Sequence, residues 1–252
     1  MPETTYKVPI GDIKCVVIDD GYLPDPEGNY GLNIIYIESQ GRKILIDNGG
    51  GWVIPETAGR LLANMKNAGI KPGDITDIIF DHAHIDHVCG TFDKRGKPVF
   101  SGARYIIDKK EWAYVTAGPG DNEIQNNLFT HARQYLVPLK ERFIIVDSGY
   151  QVVPGVKMVP AVGHTPGNVM VEITSRGKTL LCVGDIIHSL KEFTNSEQCA
   201  AFDVTPEQAI KTREAILARE SKQGTFIFAT HFTFPGLGYF REKKGVFSWE
   251  PI

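Results

Sequence analysis

Long apolar runs are missing from this 252-residue chain. Nothing in it approaches the ~20 consecutive apolar residues of a spanning helix, so no membrane crossing is expected. Positive charge is not in excess: 27 Lys and Arg stand against 30 Asp and Glu, a formal net charge of -3. A broad nucleic-acid footprint is therefore not expected, and basic pairs such as Lys109-Lys110 and Lys243-Lys244 read as solvated surface. Cysteine is scarce, at four residues with no C-x-x-C pair. That excludes a cysteine-based zinc site and a disulfide framework from the reading. Cys15 and Cys182 lie in apolar runs and read as packing residues. The first residues, Met1-Pro2-Glu3-Thr4-Thr5-Tyr6-Lys7, show no charged start followed by an apolar core, so the expectation is a cytoplasmic chain without a signal peptide. There is no low-complexity tract and no fixed-period repeat.

What the chain does have is 42% hydrophobic residues, enough for a sizeable core, much of it in short β-branched runs. Cys15–Ile18, Ile34–Ile37, Lys43–Ile46 and Ile78–Phe80 read as strands. A second set covers Arg104–Ile107, Phe143–Val146, Val156–Val159, Val169–Ile173, Thr179–Val183 and Thr225–Ala229. A Gly-containing turn around Arg176-Gly177 joins two of these as a hairpin. Between the early strands, Pro55 to Gly69 reads as a helix, with Leu61, Leu62 and Met65 at helical spacing and Gly69 at the stop. A second helix is expected from Thr205 to Glu220, with Thr205 as cap and Pro206 in the first turn. The segment from Glu111 to Lys140 is aromatic-rich and partly helical. Two sheets with helices in an α/β or α+β layout follow from this order.

The strongest local signal is His82-Ala83-His84-Ile85-Asp86-His87, directly after an apolar strand. Three histidines and a carboxylate are costly to bury unless they bind something, and both groups are ligands for zinc and similar metals. Three further ligand-type residues also follow predicted strands: His164 in Gly163-His164-Thr165-Pro166-Gly167, Asp185 after Gly184, and His231 after Thr230. Five of the seven histidines fall in these places. His131 and His188 lack that setting and read as structural or pocket-lining.

With these motifs the chain resembles the metallo-β-lactamase superfamily over essentially its whole length. The matching residues include Leu45-Ile46-Asp47-Asn48-Gly49. The resemblance implies an α+β fold, a four-layer αββα sandwich, as one domain over residues 1–252 with the aromatic-rich insert around 111–140. It places His82, His84 and His164 on one metal and Asp86, His87 and His231 on another, with Asp185 bridging them. A carboxylate at 185 is similar to the glyoxalase II, lactonase and organophosphate hydrolase branches. Asp47-Asn48-Gly49-Gly50-Gly51, Gly163–Gly167 and His231-Phe232-Thr233-Phe234-Pro235-Gly236 resemble the methyl parathion hydrolase-like branch, with N-acyl homoserine lactonases more distant. Asp81, Cys89 and Asn168 depart from common family residues, at positions expected not to touch a metal ligand.

The implied reaction is hydrolysis of a neutral ester, lactone or phosphotriester, using two divalent metal ions, zinc first and iron or manganese as alternatives. Such a pair shares a hydroxide and lowers the pKa of water to about 7. Asp86 and Asp185 carry the catalytic expectation. Asp47 either orients a ligand histidine from behind or caps a turn. Trp52, Trp112, Tyr114, Phe129, Phe193, Phe232 and Phe234, read together, form an apolar mouth for a small-molecule substrate. A homodimer is compatible with the resemblance, Arg241, Lys243 and Lys244 being available for it. Competing readings are a single-iron sulfur dioxygenase of the same fold, a glyoxalase II-like thioester hydrolase, and a metal-binding module without turnover. The short stretch after His231 is expected to leave little room for a glutathione-binding helical region.

Overall fold

The computed structural model describes residues 3–26, 28–54, 56–117, 123–194 and 201–252. The described residues form two seven-stranded sheets in strict chain order. The first holds β1 (Thr5–Lys7), β2 (Lys14–Leu23), β3 (Tyr30–Ser39), β4 (Arg42–Ile46), β5 (Asp77–Ile79), β6 (Arg104–Asp108) and β7 (Phe143–Val146). The second holds β8 (Gln151–Val153), β9 (Val156–Pro160), β10 (Val169–Ser175), β11 (Lys178–Cys182), β12 (Phe226–Phe228), β13 (Leu237–Lys243) and β14 (Val246–Pro251). The helices are α1 (Leu61–Asn67), α2 (Ile85–Val88), α3 (Lys109–Thr116), α4 (Glu123–Leu136), α5 (Lys191–Thr194) and α6 (Pro206–Gln223).

Side-chain alternation explains the layering. Val17, Ile35, Ile37, Ile44 and Ile46 point between the sheets, where they meet Val169, Val171, Leu180 and Cys182. Their neighbours Ile18, Ile34, Tyr36 and Leu45 point outward, under α1, α3 and α4, against Leu61, Met65, Val115, Phe129 and Leu136. On the other sheet, Met170, Leu181 and Ile227 point outward against Ile216 and Leu217 of α6. The four-layer α+β sandwich follows. Strands β4 to β7 run parallel, as do β11 and β12. The loops after β4 and β5 therefore open on one edge of the first sheet, and those after β11 and β12 on one edge of the second.

Two helix readings change. The first helix begins at Leu61, and Pro55 lies outside the described residues. Glu56 and Gly59 have φ of +72° and +75°, incompatible with a right-handed helix, so the preceding segment turns instead. Asp20, far off in sequence, accepts the Leu61 N–H at 2.7 Å and supplies the cap. In α6, Thr205 stands at the cap position without a side-chain bond, and the helix runs on to Gln223, where Gly224 turns left-handed. Of the strands that sequence reading passed over, β13 and β14 form a hairpin through Lys244 and Gly245 at φ +54° and +79°. Arg241 thus pairs with Glu250 across this hairpin.

Candidate metal centre

The ligand-type residues converge at the edge shared by the sheets. His82 and His84 follow β5, Asp86 and His87 form the one-turn α2, and His164 follows β9. Asp185 follows β11 and His231 follows β12. All seven are buried. His82, His84, His164 and Asp185 form one cluster of close donor atoms, and Asp86, His87 and His231 form a second. Asp185 stands between them. Its Oδ1 lies 3.2 Å from His87 Nε2 and 3.0 Å from His231 Nε2. Its Oδ2 lies 3.4 Å from His164 Nε2 and 3.6 Å from His82 Nε2. Gly184 makes this approach possible: its φ is +53°, and a Cβ there would fall 2.5 Å from Asp81 Oδ2.

The histidine tautomers follow from what lies behind each ring. His82 Nδ1 is 2.8 Å from Asp81 Oδ1, His87 Nδ1 is 2.9 Å from Asp47 Oδ2 and His164 Nδ1 is 2.8 Å from Asp203 Oδ1. His231 Nδ1 is 2.9 Å from the Gly31 carbonyl. A carbonyl only accepts, and ionised carboxylates only accept, so these four Nδ1 atoms carry protons and donate. In the neutral rings the four Nε2 atoms are then bare lone pairs. Yet His82 and His164 Nε2 stand 3.2 Å apart, too close for two bare acceptors with nothing between them. His87 Nε2 and Asp185 Oδ1 are buried without a hydrogen-bond partner. Converging unprotonated nitrogens and orphaned carboxylate oxygen fit divalent cations, with outer carboxylates setting the ring orientation.

The Asp47 side chain lies behind the His87 ring, as one of its two readings expects, and among the described residues no bond to the turn that follows it is seen. At φ +62° the residue ends β4 in a tight turn, and its carboxylate takes the His87 ring and the Asp81 N–H. Asp81 corrects an expectation: far from standing clear of the ligands, it touches His82 and His87, the latter at 3.2 Å. Asp203 escaped sequence reading, since nothing local ties it to a histidine 39 residues earlier.

The cleft over the cluster encloses about 250 Å³. Its apolar wall is Leu23, Pro24, Tyr30, Ile85, Leu128 and Phe202, and no Lys or Arg lines it among the described residues. His188 lines it too, as a residue read as structural or pocket-lining. Behind it, Glu192 accepts the His188 and Ser189 N–H groups and pairs with the fully buried Arg213 at 3.1 Å. Burial raises the Glu192 carboxyl, but His188 and Arg213 bring it down to about 2. His131 sits exposed on α4.

The seven aromatics expected at the mouth do not line this cleft: six pack against other side chains, and Trp52 stands half-exposed at a separate cavity. Trp52 lines a separate cavity of about 400 Å³ with Leu62 and Phe92. Trp112 packs on Phe143 at 4.7 Å. Tyr114 meets Phe129 edge-on, and Phe129 backs the His84 ring at 5.6 Å. Phe193 and Phe232 pack on each other and on Phe240 and Trp249, and Phe234 packs against the inter-sheet core.

With this geometry in place, a family profile described as the metallo-beta-lactamase superfamily matches residues 28–231. The chain belongs to that superfamily. It is a metal-dependent hydrolase of the metallo-beta-lactamase fold. An N-acyl homoserine lactonase of Bacillus thuringiensis is 24% identical over 86% of this chain and 76% of its own length. Among solved structures, AidC, a dizinc quorum-quenching lactonase in complex with a product, superposes with a TM-score of 0.90 at 26% identity, covering 98% of this chain and 97% of AidC. AbOPH, a hydrolase in the beta lactamase superfamily, gives 0.91 at 26% identity over 100% and 98%. No helix among the described residues is long and apolar enough to cross a membrane.

Proposed function

We propose that this chain is a binuclear hydrolase of neutral lactones and related esters, with zinc as the first metal to test. The observation that carries the reading is Asp185, whose carboxylate reaches both ligand clusters, with Oδ1 3.2 Å from His87 Nε2, Oδ2 3.4 Å from His164 Nε2, and His231 Nε2 at 3.0 and 3.1 Å from the two oxygens. In this assignment His82, His84 and His164 would hold one ion and Asp86, His87 and His231 the other, with Asp185 placed to serve both. When bound, such a pair supplies the acidified water and the electrophile that hydrolysis needs. Asp81, Asp47, Asp203 and the Gly31 carbonyl hold the rings in the tautomer that leaves Nε2 free. Asp86 lines the cleft, and its carboxylate takes the proton given up by the attacking water and delivers it to the leaving oxygen.

The cleft argues for the substrate class. Its wall is largely apolar and, among the described residues, without Lys or Arg, and the His188 ring that also lines it faces Asp185 and Glu192, so beyond the metals themselves a phosphate dianion or phosphodiester would find little counter-charge on the wall. A neutral acyl compound with an apolar tail fits better. The lactonases among the relatives, and AidC with its product, support a lactone over a simple ester. Phosphotriesters share the neutral charge and stay in the test panel. The experiment is a turnover panel of γ-lactones with acyl tails, p-nitrophenyl esters and paraoxon-type triesters, using protein with metal content measured. Lactones are expected to be the best substrates by kcat/KM. Turnover confined to charged phosphodiesters would overturn the reading.

A further inference from the structure

Glu111 lies on α3, at the end of β6, and is fully buried. A buried carboxylate needs every lone pair satisfied, and this one is satisfied entirely by the ligand loops. Ala83 N–H donates to Oε1 at 3.0 Å. The Thr165 hydroxyl donates to Oε2 at 2.6 Å, and Gly167 N–H to the same oxygen at 3.0 Å. Ala83 sits between His82 and His84, and Thr165 follows His164. One side chain therefore grips the two loops, from opposite sheets, that carry all three histidines of one cluster. The contact is built for: a Cβ on Gly167 would fall 2.2 Å from the Glu111 backbone nitrogen, so only glycine lets this loop seat on α3. None of the bonds from Glu111 reaches Asp86, His87 or His231.

The geometry points to Glu111 as the positioning residue for the His82, His84 and His164 site alone, setting the affinity of that metal and not of its neighbour. This rests on the binuclear reading above. Carboxylates behind a metal's ligands typically change affinity by about 10–100-fold when removed. Glu111 holds loop backbones and not the rings, which places the expected effect near the lower figure, about tenfold. Glu111→Gln keeps the size but turns an amide donor toward donors. Thr165→Val removes a single bond and leaves the carboxylate in place.

The test is a graded chelator titration of the metal-loaded proteins, following metal per chain by elemental analysis, with thermal unfolding as the folding control. The native chain is expected to release two equivalents. Glu111→Gln should release one of them at about tenfold lower chelator activity while the other stays where the native protein has it. Thr165→Val should shift the same equivalent by less. In a His231→Ala background, Glu111→Gln should weaken the remaining metal; in a His164→Ala background it should leave it unchanged. Release of both equivalents together, or no shift in either variant, overturns the site-selective role. Should Glu111→Gln fail to fold, Thr165→Val decides by the same criterion. A native chain that holds fewer than two metals overturns the binuclear reading itself, and this inference with it.

Discussion

The two halves of the centre are held by different means. His82, His84 and His164 arrive from opposite sheets and are joined by hydrogen bonds that span long sequence distances: Asp203 to His164, and Glu111 to both loops. Asp86 and His87 are neighbours on one helical turn, and the rings of their half are held one at a time, His87 by Asp47 and His231 by the Gly31 carbonyl. Both halves rest on tertiary contacts, but in the first a single side chain, Glu111, ties the two ligand loops together. Variants outside the ligand set should therefore disturb the two halves unequally.

The largest effect is expected where the halves meet. Asp185→Ala removes the oxygen that each cluster shares and leaves His87 and His231 without their carboxylate partner. Both metals should bind more weakly and kcat/KM should fall by more than about 100-fold. Metal content and turnover measured together check this, and a variant that keeps two tightly held metals and native activity would remove the bridging role. The next effect separates the halves. Asp203→Ala frees the His164 ring, and Asp47→Ala frees that of His87. Each should weaken metal at its own half by about 10–100-fold. Chelator release curves would show which equivalent moves, and identical curves for the two variants would erase the distinction between the halves.

This contrast also explains what the sequence disclosed. His82 to His87 announce themselves because four ligand-type side chains crowd six residues after a buried strand. His164, Asp185 and His231 come one to a loop and gain meaning only as a set matched to a family. The strands were legible where β-branched residues alternate, as at Ile34–Ile37. The β13–β14 hairpin was less so, since charged Arg241, Glu242 and Lys243 at the end of β13 mask the alternation. Asp203 and Glu111 were not legible at all: their roles exist only through partners 28 to 56 residues away. The aromatics misled for a related reason. Ring count near a ligand says nothing of which face a ring turns, and burial against another ring offsets more apolar area than lining a wet cleft does.

Glu192 sharpens the comparison from behind the cleft, because its bonds go to His188, Ser189 and Arg213 and to none of the seven ligand-type residues. Its folded carboxyl sits near 2, against an ordinary 4.5. A depressed carboxyl contributes stability above its unfolded value and loses it as pH falls through the folded one, so this contribution is complete above about pH 4.5 and gone near pH 2. The shift corresponds to at most about 3 kcal/mol. Glu192→Gln should lower unfolding free energy at pH 7 by something under that figure. The gap to the native chain should narrow between pH 4.5 and 2. Denaturant melts of metal-free protein at pH 7, 5 and 3 measure it, and a gap that stays constant across that range would show that Glu192 acts by packing and not by charge.

The smallest effect belongs to the two cavities. Trp52 is half-exposed and lines the space behind the loop at 48–51, not the cleft. Phe202 lines the cleft beside His84 and His188. If the apolar wall selects the acyl tail, Phe202→Ala should raise KM for long-tailed lactones more than for short ones, with kcat little changed. Trp52→Ala should leave both constants as they are. A Trp52 variant with the chain-length signature expected of Phe202 would move the tail site to the other side of the Gly49-Gly50-Gly51 loop.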